Sequence, residues 1–401
     1  MKKTELVMTN VLDNMDDYEQ LGVVIVLDNR CKATHVSELC PLQTTDEPTY
    51  HLKELKQITG RFCSKTIRHL MEHNDVKYIC PDYTVRSNLN VATATIGSKY
   101  ANNSHGLTGN GITVSVIDTG IFPHYDLTYP SNRIVGFQDF INSRTAPYDD
   151  NGHGTHVAGA IAGNGSASGG NYSGVAPDAN VVGVKVLDSQ GNGLLSNVIA
   201  GINWSIENRS RLGIRIINLS LGATPTTSYV NDPLAIACEK AWRAGIVVVA
   251  AAGNSGPLGT IDTPGYDPII LTVGATNDRN TFNIQDDTPG EYTSSKPTVD
   301  GFIKPDIAVP GTNITSLLSP NSTIAFQHPQ NRVGPHYFTL TGTSMATGMV
   351  SGIVALLLQA SPPYTPDTVK VRLMESSKFL TPQFTGYSLV TSLFNMTRNY
   401  H

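Results

Sequence analysis

The stretch Ile112-Thr-Val-Ser-Val-Ile-Asp-Thr-Gly120 decides the fold: a β-branched run that stops at an aspartate and a glycine. A run of this kind predicts a strand over Ile112–Ile117 that is buried on both faces. The same pattern returns at Val181–Leu187, Ile214–Leu219, Ile246–Ala250 and Ile269–Val273. Helical spacing lies between these runs, notably at Ser196–Ile206 and Pro233–Ala244, and Ser344–Gln359 and Pro366–Glu375 close the series. Strand, loop and helix in alternation predict an α/β domain, a parallel β-sheet with helices on both faces.

Upstream the pattern is different. Leu21–Leu27 suits a strand, Ser64–His73 a helix with Ser64 as its cap, and Val76–Cys80 a second strand. These elements predict a small α+β unit. Residues 86–111 have the polarity of a linker, so the chain divides into domains at 1–88 and 89–401. Cys31, Cys40, Cys63 and Cys80 fall in the first quarter and Cys238 stands apart. No C-x-x-C occurs, which speaks against a zinc site and leaves buried free thiols as the expectation.

Composition removes several classes of function. Lys plus Arg (28) against Asp plus Glu (33) gives a net charge of −5, a poor match to nucleic acid. The longest apolar stretch noted, Ala244–Ala252, falls well short of the ~18 residues of a membrane span, so neither nucleic acid nor membrane is expected as a partner. Two lysines near the N-terminus are followed by Asp13, Asp16 and Asp17 rather than an apolar signal region. A cytoplasmic location is the expectation, with leaderless secretion as the alternative.

In open α/β sheets ligands bind beyond the carboxyl ends of the strands. Three strings fall there: Val116-Ile-Asp-Thr-Gly120, Asp150-Asn-Gly-His-Gly-Thr-His-Val-Ala-Gly159, and Leu340-Thr-Gly-Thr-Ser-Met-Ala346. Asp118, His153 and Ser344 on separate elements can make an activated nucleophile: the acid orients the imidazole, the imidazole takes the hydroxyl proton, and the hydroxyl attacks. A fourth string, Val248–Gly256, sets Asn254 just past a buried strand, where its carboxamide N–H can meet a developing oxyanion.

The order Asp, His, Asn, Ser within I-D-T-G, N-G-H-G-T-H-V-A-G, A-A-G-N-S-G and G-T-S-M-A resembles the subtilisin family of serine proteases over about 300 residues, from near Leu89 to Met374. The resemblance implies Asp118 as triad acid, His153 as general base, Ser344 as nucleophile and Asn254 as oxyanion donor. It further implies a serine endopeptidase that works through an acyl-enzyme on polypeptide substrates, with no cofactor for the chemistry. The absent signal peptide and the insertion near 319–334 look more like the intracellular bacterial branch. Residues 1–88 then look like a ferredoxin-like α+β propeptide that chaperones folding and inhibits, so that the protein is made as a self-processing proenzyme. The alternative is a zymogen-locked or silent homologue that acts as a binding protein.

By the same resemblance a substrate strand pairs with Gly191-Asn192-Gly193 on one side and Ser220-Leu221-Gly222 on the other, and Leu195 with Leu221 leaves an apolar P4 pocket. Asp262 occupies a position where relatives usually carry a small residue at the base of the P1 pocket. A carboxylate there attracts Arg or Lys. Tyr83-Thr-Val-Arg86 offers an aromatic P4 and a basic P1, which predicts processing after Arg86, with Leu89 or Asn90 as the competing site. Asp126 aligns with a carboxylate that binds calcium in many subtilases, although a solvated turn aspartate explains it equally well. Thr347-Gly348 departs from the family's usual Ser-Pro or Thr-Pro.

Other readings of single strings remain. D-T-G is also an aspartic-protease string, but that chemistry needs a second such aspartate, and no further D-T-G or D-S-G is present. His153 and His156 could be zinc ligands on one helix face, but no Cys or carboxylate cluster accompanies them. Asn254 alone could be a turn residue, and Cys238 sits at apolar spacing as a core residue.

Overall fold

A computed structural model describes Leu12 and residues 15–388, except 29, 32, 34, 83, 88–97, 280, 282–286, 382–383 and 389 onward. The N-terminal unit contains β1 (Gln20–Leu27), β2 (Glu47–Leu52), β3 (Gln57–Cys63), helix α1 (Ser64–Glu72) and β4 (Val76–Pro81). Its antiparallel sheet has the order β2-β3-β1-β4. The expected helix is present, but Ser64 is its first residue, not its cap; Cys63 takes the cap position and the Ser64 hydroxyl donates to Asp16 O. All five cysteines are buried and free.

The strand β5 (Thr84–Ser87) and helix α2 (Ser98–His105) follow; α2 lies within the segment expected to be a linker and β5 overlaps its start. The larger unit then alternates: β6 (Thr113–Asp118), β7 (Ile134–Asp139), α3 (His153–Ala162), β8 (Asn180–Lys185), β9 (Asn192–Leu194), α4 (Leu195–Leu212), β10 (Ile214–Leu219), β11 (Leu221–Gly222), α5 (Pro233–Arg243), β12 (Val247–Ala251), β13 (Leu271–Asn277), β14 (Ile307–Pro310), α6 (Thr343–Ala360) and α7 (Pro366–Glu375); β6, β8, β10, β12 and β13 are the five expected strands, while β7, β9, β11 and β14 are additions. A terminal hairpin of β15 (Lys378–Thr381) and β16 (Phe384–Ser388) extends the central sheet, whose order is β15-β16-β14-β13-β12-β10-β6-β8-β7.

From β16 to β7 every pairing along this order is parallel; the antiparallel exceptions are β15 on β16 and Thr288–Pro289 on β13. Every residue of β6, β12 and β14 is buried, the signature of a sheet covered on both faces. The helices cover it in pairs, α3 against α6 and α4 against α5. Gly348 serves this packing: a side chain there would come within 3.2 Å of Val157 O on α3. Helix α6 is long and apolar enough to span a membrane by length and hydropathy, contrary to the expectation that no stretch reaches that length. Its 18-residue window is 89% buried inside the protein, as a core helix must be.

The N-terminal sheet docks on α4 and α5. Gln57 Nε2 donates to Pro233 O, Lys240 Nζ to Leu55 O, and Tyr50 OH to Asn197 Oδ1. Asp82 accepts the Ser196 N–H at 2.8 Å in the first turn of α4, where a carboxylate is electrostatically favoured.

Candidate active site

Asp118 ends β6, His153 opens α3, Ser344 is the second residue of α6, and all three are fully buried. Asp118 and His153 meet at the carboxyl end of β6, and Ser344 opens a helix, α6, that packs against α3. His153 Nδ1 donates to Asp118 Oδ1 at 2.7 Å, and the same oxygen accepts the Thr119 N–H at 2.7 Å. This bond puts the imidazole proton on Nδ1 and makes Nε2 the basic nitrogen. The approach needs Gly154, because a side chain there would meet Gly120 O at 2.3 Å and Asp118 Cβ at 3.1 Å.

The Ser344 hydroxyl donates to Ser220 O at 3.0 Å, while the Ser220 hydroxyl donates to Ser344 O at 2.9 Å. Ser344 is therefore tied to the residue just before β11. Asn254 lies in the loop after β12. Its Oδ1 accepts both the Thr343 N–H (3.0 Å) and the Thr343 hydroxyl (3.1 Å), so the amide cannot flip without losing two bonds. Its Nδ2 is buried and has no hydrogen-bond partner among the described residues. A buried unsatisfied N–H beside a nucleophile is costly, and an incoming oxyanion removes that cost.

The two edges expected to flank a substrate lie on either side of β5. In register, Thr84, Val85 and Arg86 face Leu194, Gly193 and Asn192 of β9, while Arg86 and Ser87 face Gly222 and Leu221 of β11. Gly191 directly precedes β9, Ser220 directly precedes β11, and Leu195 and Leu221 are fully buried. Arg86 is thus placed opposite Gly222, two residues from Ser220. Tyr83, Leu89 and Asn90 lie outside the described residues.

Asp262 is 7% exposed and sits between the two strand ends. A side chain at Gly222 would come within 2.9 Å of Asp262 Cβ, and one at Gly253 within 2.6 Å of its Oδ2. Both glycines therefore pack directly against Asp262, and Gly253 is adjacent to Asn254.

Asp126 does not fit the calcium role. It is fully buried; Oδ1 accepts the Ala167 N–H at 2.8 Å, Oδ2 accepts the Tyr337 hydroxyl at 2.7 Å, and its carbonyl accepts from the Arg133 guanidinium. Both carboxylate oxygens are thus already engaged by protein donors, and a calcium site needs several further oxygen ligands around the ion. No cluster of three or more metal-binding side chains occurs among the described residues. His156 is structural: its Nε2 lies 3.0 Å from Ile314 O and 3.1 Å from Phe338 O. Burial, with the nearby His153, lowers its pKa to about 3, so it stays neutral.

Asp149 was missed in the sequence, one residue ahead of the His153 string. It accepts five hydrogen bonds from both sides of the triad.

A family model described as the subtilase family matches residues 109–394. The chain belongs to the subtilase family. It is 48% identical over 308 residues to the serine protease AprX of Bacillus subtilis, covering 75% of this chain and 69% of that one. It is 35% identical over 326 residues to subtilisin E of the same species, covering 80% and 75%. Among solved structures, a cold-adapted subtilisin-like serine proteinase superposes with a TM-score of 0.55 at 30% identity, over 71% of this chain and 90% of that one. The fold is subtilisin-like, and the protein is a serine endopeptidase of this subtilase family.

Proposed function

We propose that this subtilase hydrolyses polypeptides through Asp118, His153 and Ser344, with Asn254 as oxyanion donor, and that it is made as a self-processing proenzyme. His153 Nε2 takes the Ser344 proton as Oγ adds to the substrate carbonyl carbon. The carbonyl oxygen becomes the oxyanion and meets Asn254 Nδ2. Collapse expels the amine, which leaves with the proton from His153, and the acyl-enzyme is then hydrolysed by water activated at the same imidazole. The observation that carries this reading is the buried, unpartnered Nδ2 of Asn254 next to the residue that precedes the nucleophile.

The strand β5 supports self-processing, since it occupies the position between β9 and β11 that a substrate backbone takes. Its described pairing ends with Ser87 opposite Leu221, one residue from Ser220, to which Ser344 Oγ is bonded. We infer that the bond cut is the one after residue 88, rather than after Arg86, and that residues 1–88 then remain as an inhibitor docked on α4 and α5. Asp262 favours substrates with Arg or Lys at P1, because a carboxylate attracts a cationic side chain. One observation favours the second reading, a locked binding protein: β5 is paired on both of its edges. Reaction with a fluorophosphonate and hydrolysis of an unfolded protein substrate separate the two. The proposed enzyme does both and loses both on Ser344→Ala; a locked protein does neither.

A further inference from the structure

We propose that Asp149 is a positioning residue for the triad, acting through the Thr119 hydroxyl to lock the end of β6 to the first turn of α3. The proposal rests on the assignment of Asp118 and His153 above. These two residues are held on different elements, and their 2.7 Å bond spans 35 positions of chain. Something must fix one element against the other, because a misplacement of ~1 Å in such a pair costs about 100-fold in rate.

The Asp149 side chain is 4% exposed and each oxygen has a separate task. Oδ1 accepts from the Thr119 hydroxyl (2.9 Å), Asn151 N (3.1 Å) and Gly152 N (2.8 Å). Oδ2 accepts from Thr155 N (2.9 Å) and the Thr155 hydroxyl (2.6 Å). The donors therefore come from the residue after Asp118, from both residues before His153, and from the turn after it. Thr119 completes the tie: its N–H donates to Asp118 Oδ1, and its hydroxyl, while donating to Asp149, accepts the Gly154 N–H at 2.9 Å.

The backbone is gripped as well. Asp149 bridges to Gly120, its carbonyl accepts the Ser319 hydroxyl at 2.7 Å, and the Lys185 ammonium donates to Thr119 O at 2.6 Å. The Ser319 contact brings the insertion near 319–334 into this arrangement. Burial pushes the Asp149 carboxyl up, and the donors with Lys185 pull it back. Only a side chain that accepts at both ends can hold this place, which neither Asn nor Leu does.

The test is steady-state kinetics on a soluble peptide substrate, per mole of folded full chain, for Thr119→Val, Thr119→Ser, Asp149→Asn and the Thr119→Val/Asp149→Asn pair. Thr119→Val keeps the shape and removes the hydroxyl; kcat is expected to fall by about 10- to 100-fold with KM within about twofold. Thr119→Ser restores kcat to within about threefold, because the hydroxyl returns. The double variant is expected to lose no more than the worse single one, the mark of residues that act as one unit. Wild-type kcat in Thr119→Val, no rescue by Ser, or additive losses each overturn the proposal. If Asp149→Asn does not fold, the Val and Ser variants decide alone. A fully active Ser344→Ala would instead defeat the triad reading, which keeps the two failures apart.

Discussion

Thr343 gives Asn254 Oδ1 two hydrogen bonds, from its N–H and its hydroxyl, and so leaves the buried Asn254 N–H2 without a partner among the described residues. On the proposed mechanism, the residue before the nucleophile would thus set the orientation of the oxyanion donor, and one helix end would supply both the attacking atom and that orientation.

Asn254→Ala removes that donor without touching the triad. Its kcat should fall by about 100- to 1000-fold with KM little changed, the loss known for the oxyanion asparagine of subtilisin itself, a member of this family. Progress curves on a peptide anilide check this; a loss confined to KM would contradict the assignment.

Asp262→Asn removes a charge from between Gly222 and Gly253. The ratio of kcat/KM for Arg against Phe at P1 should drop by about 10- to 100-fold, since bonds to charged groups contribute about 1.5–3 kcal/mol. Matched P1-Arg and P1-Phe substrates measure it. An unchanged ratio would remove Asp262 from the specificity pocket.

Tyr337→Phe leaves Asp126 Oδ2 buried without the donor seen here. The expected cost is about 1–3 kcal/mol of stability, with kcat nearly unchanged because the site is remote from the chemistry. Denaturant unfolding and the anilide assay together test both halves.

Burial, first, and Glu239 raise the Asp267 carboxyl to about 7 from 3.8, while its hydrogen bond from Ile269 N opposes the rise. Between these values the folded state holds a proton that the unfolded state has released, so this group makes stability fall as pH rises from about 4 to 7. Asp267→Asn keeps the acceptor for Ile269 and does not titrate. Relative to wild type, the variant should gain about 1–3 kcal/mol between pH 5 and pH 8. Urea unfolding at the two pH values reads the difference directly.

The central sheet was legible because its strands are short apolar runs bounded by glycine and polar residues, and α7 was bounded correctly by its proline start. Asp118, His153, Asn254 and Ser344 stood out in the sequence because each sits in a short string at a strand or helix end, and the structure pairs Asp118 with His153. The strand β5 was not: Thr84-Val-Arg-Ser87 carries no periodicity of its own and is extended only because β9 and β11 flank it. Strands β2 and β3 were missed for a related reason, since residues such as His51, Gly60 and Arg61 interrupt their patterns. Asp149 escaped notice because its role depends on Thr119, thirty positions earlier in the chain. Asp126 resembled a metal ligand in sequence, and only the fold brings Tyr337 to its carboxylate.

The most direct test of self-processing is intact mass and N-terminal sequencing of purified full-length protein over time, beside a Ser344→Ala variant. The account predicts that the wild type alone is cut, with a new N-terminus at Leu89. If both proteins stay at 43.1 kDa, or if the Ser344→Ala variant is cut at the same rate, the claim of a self-processing proenzyme is contradicted.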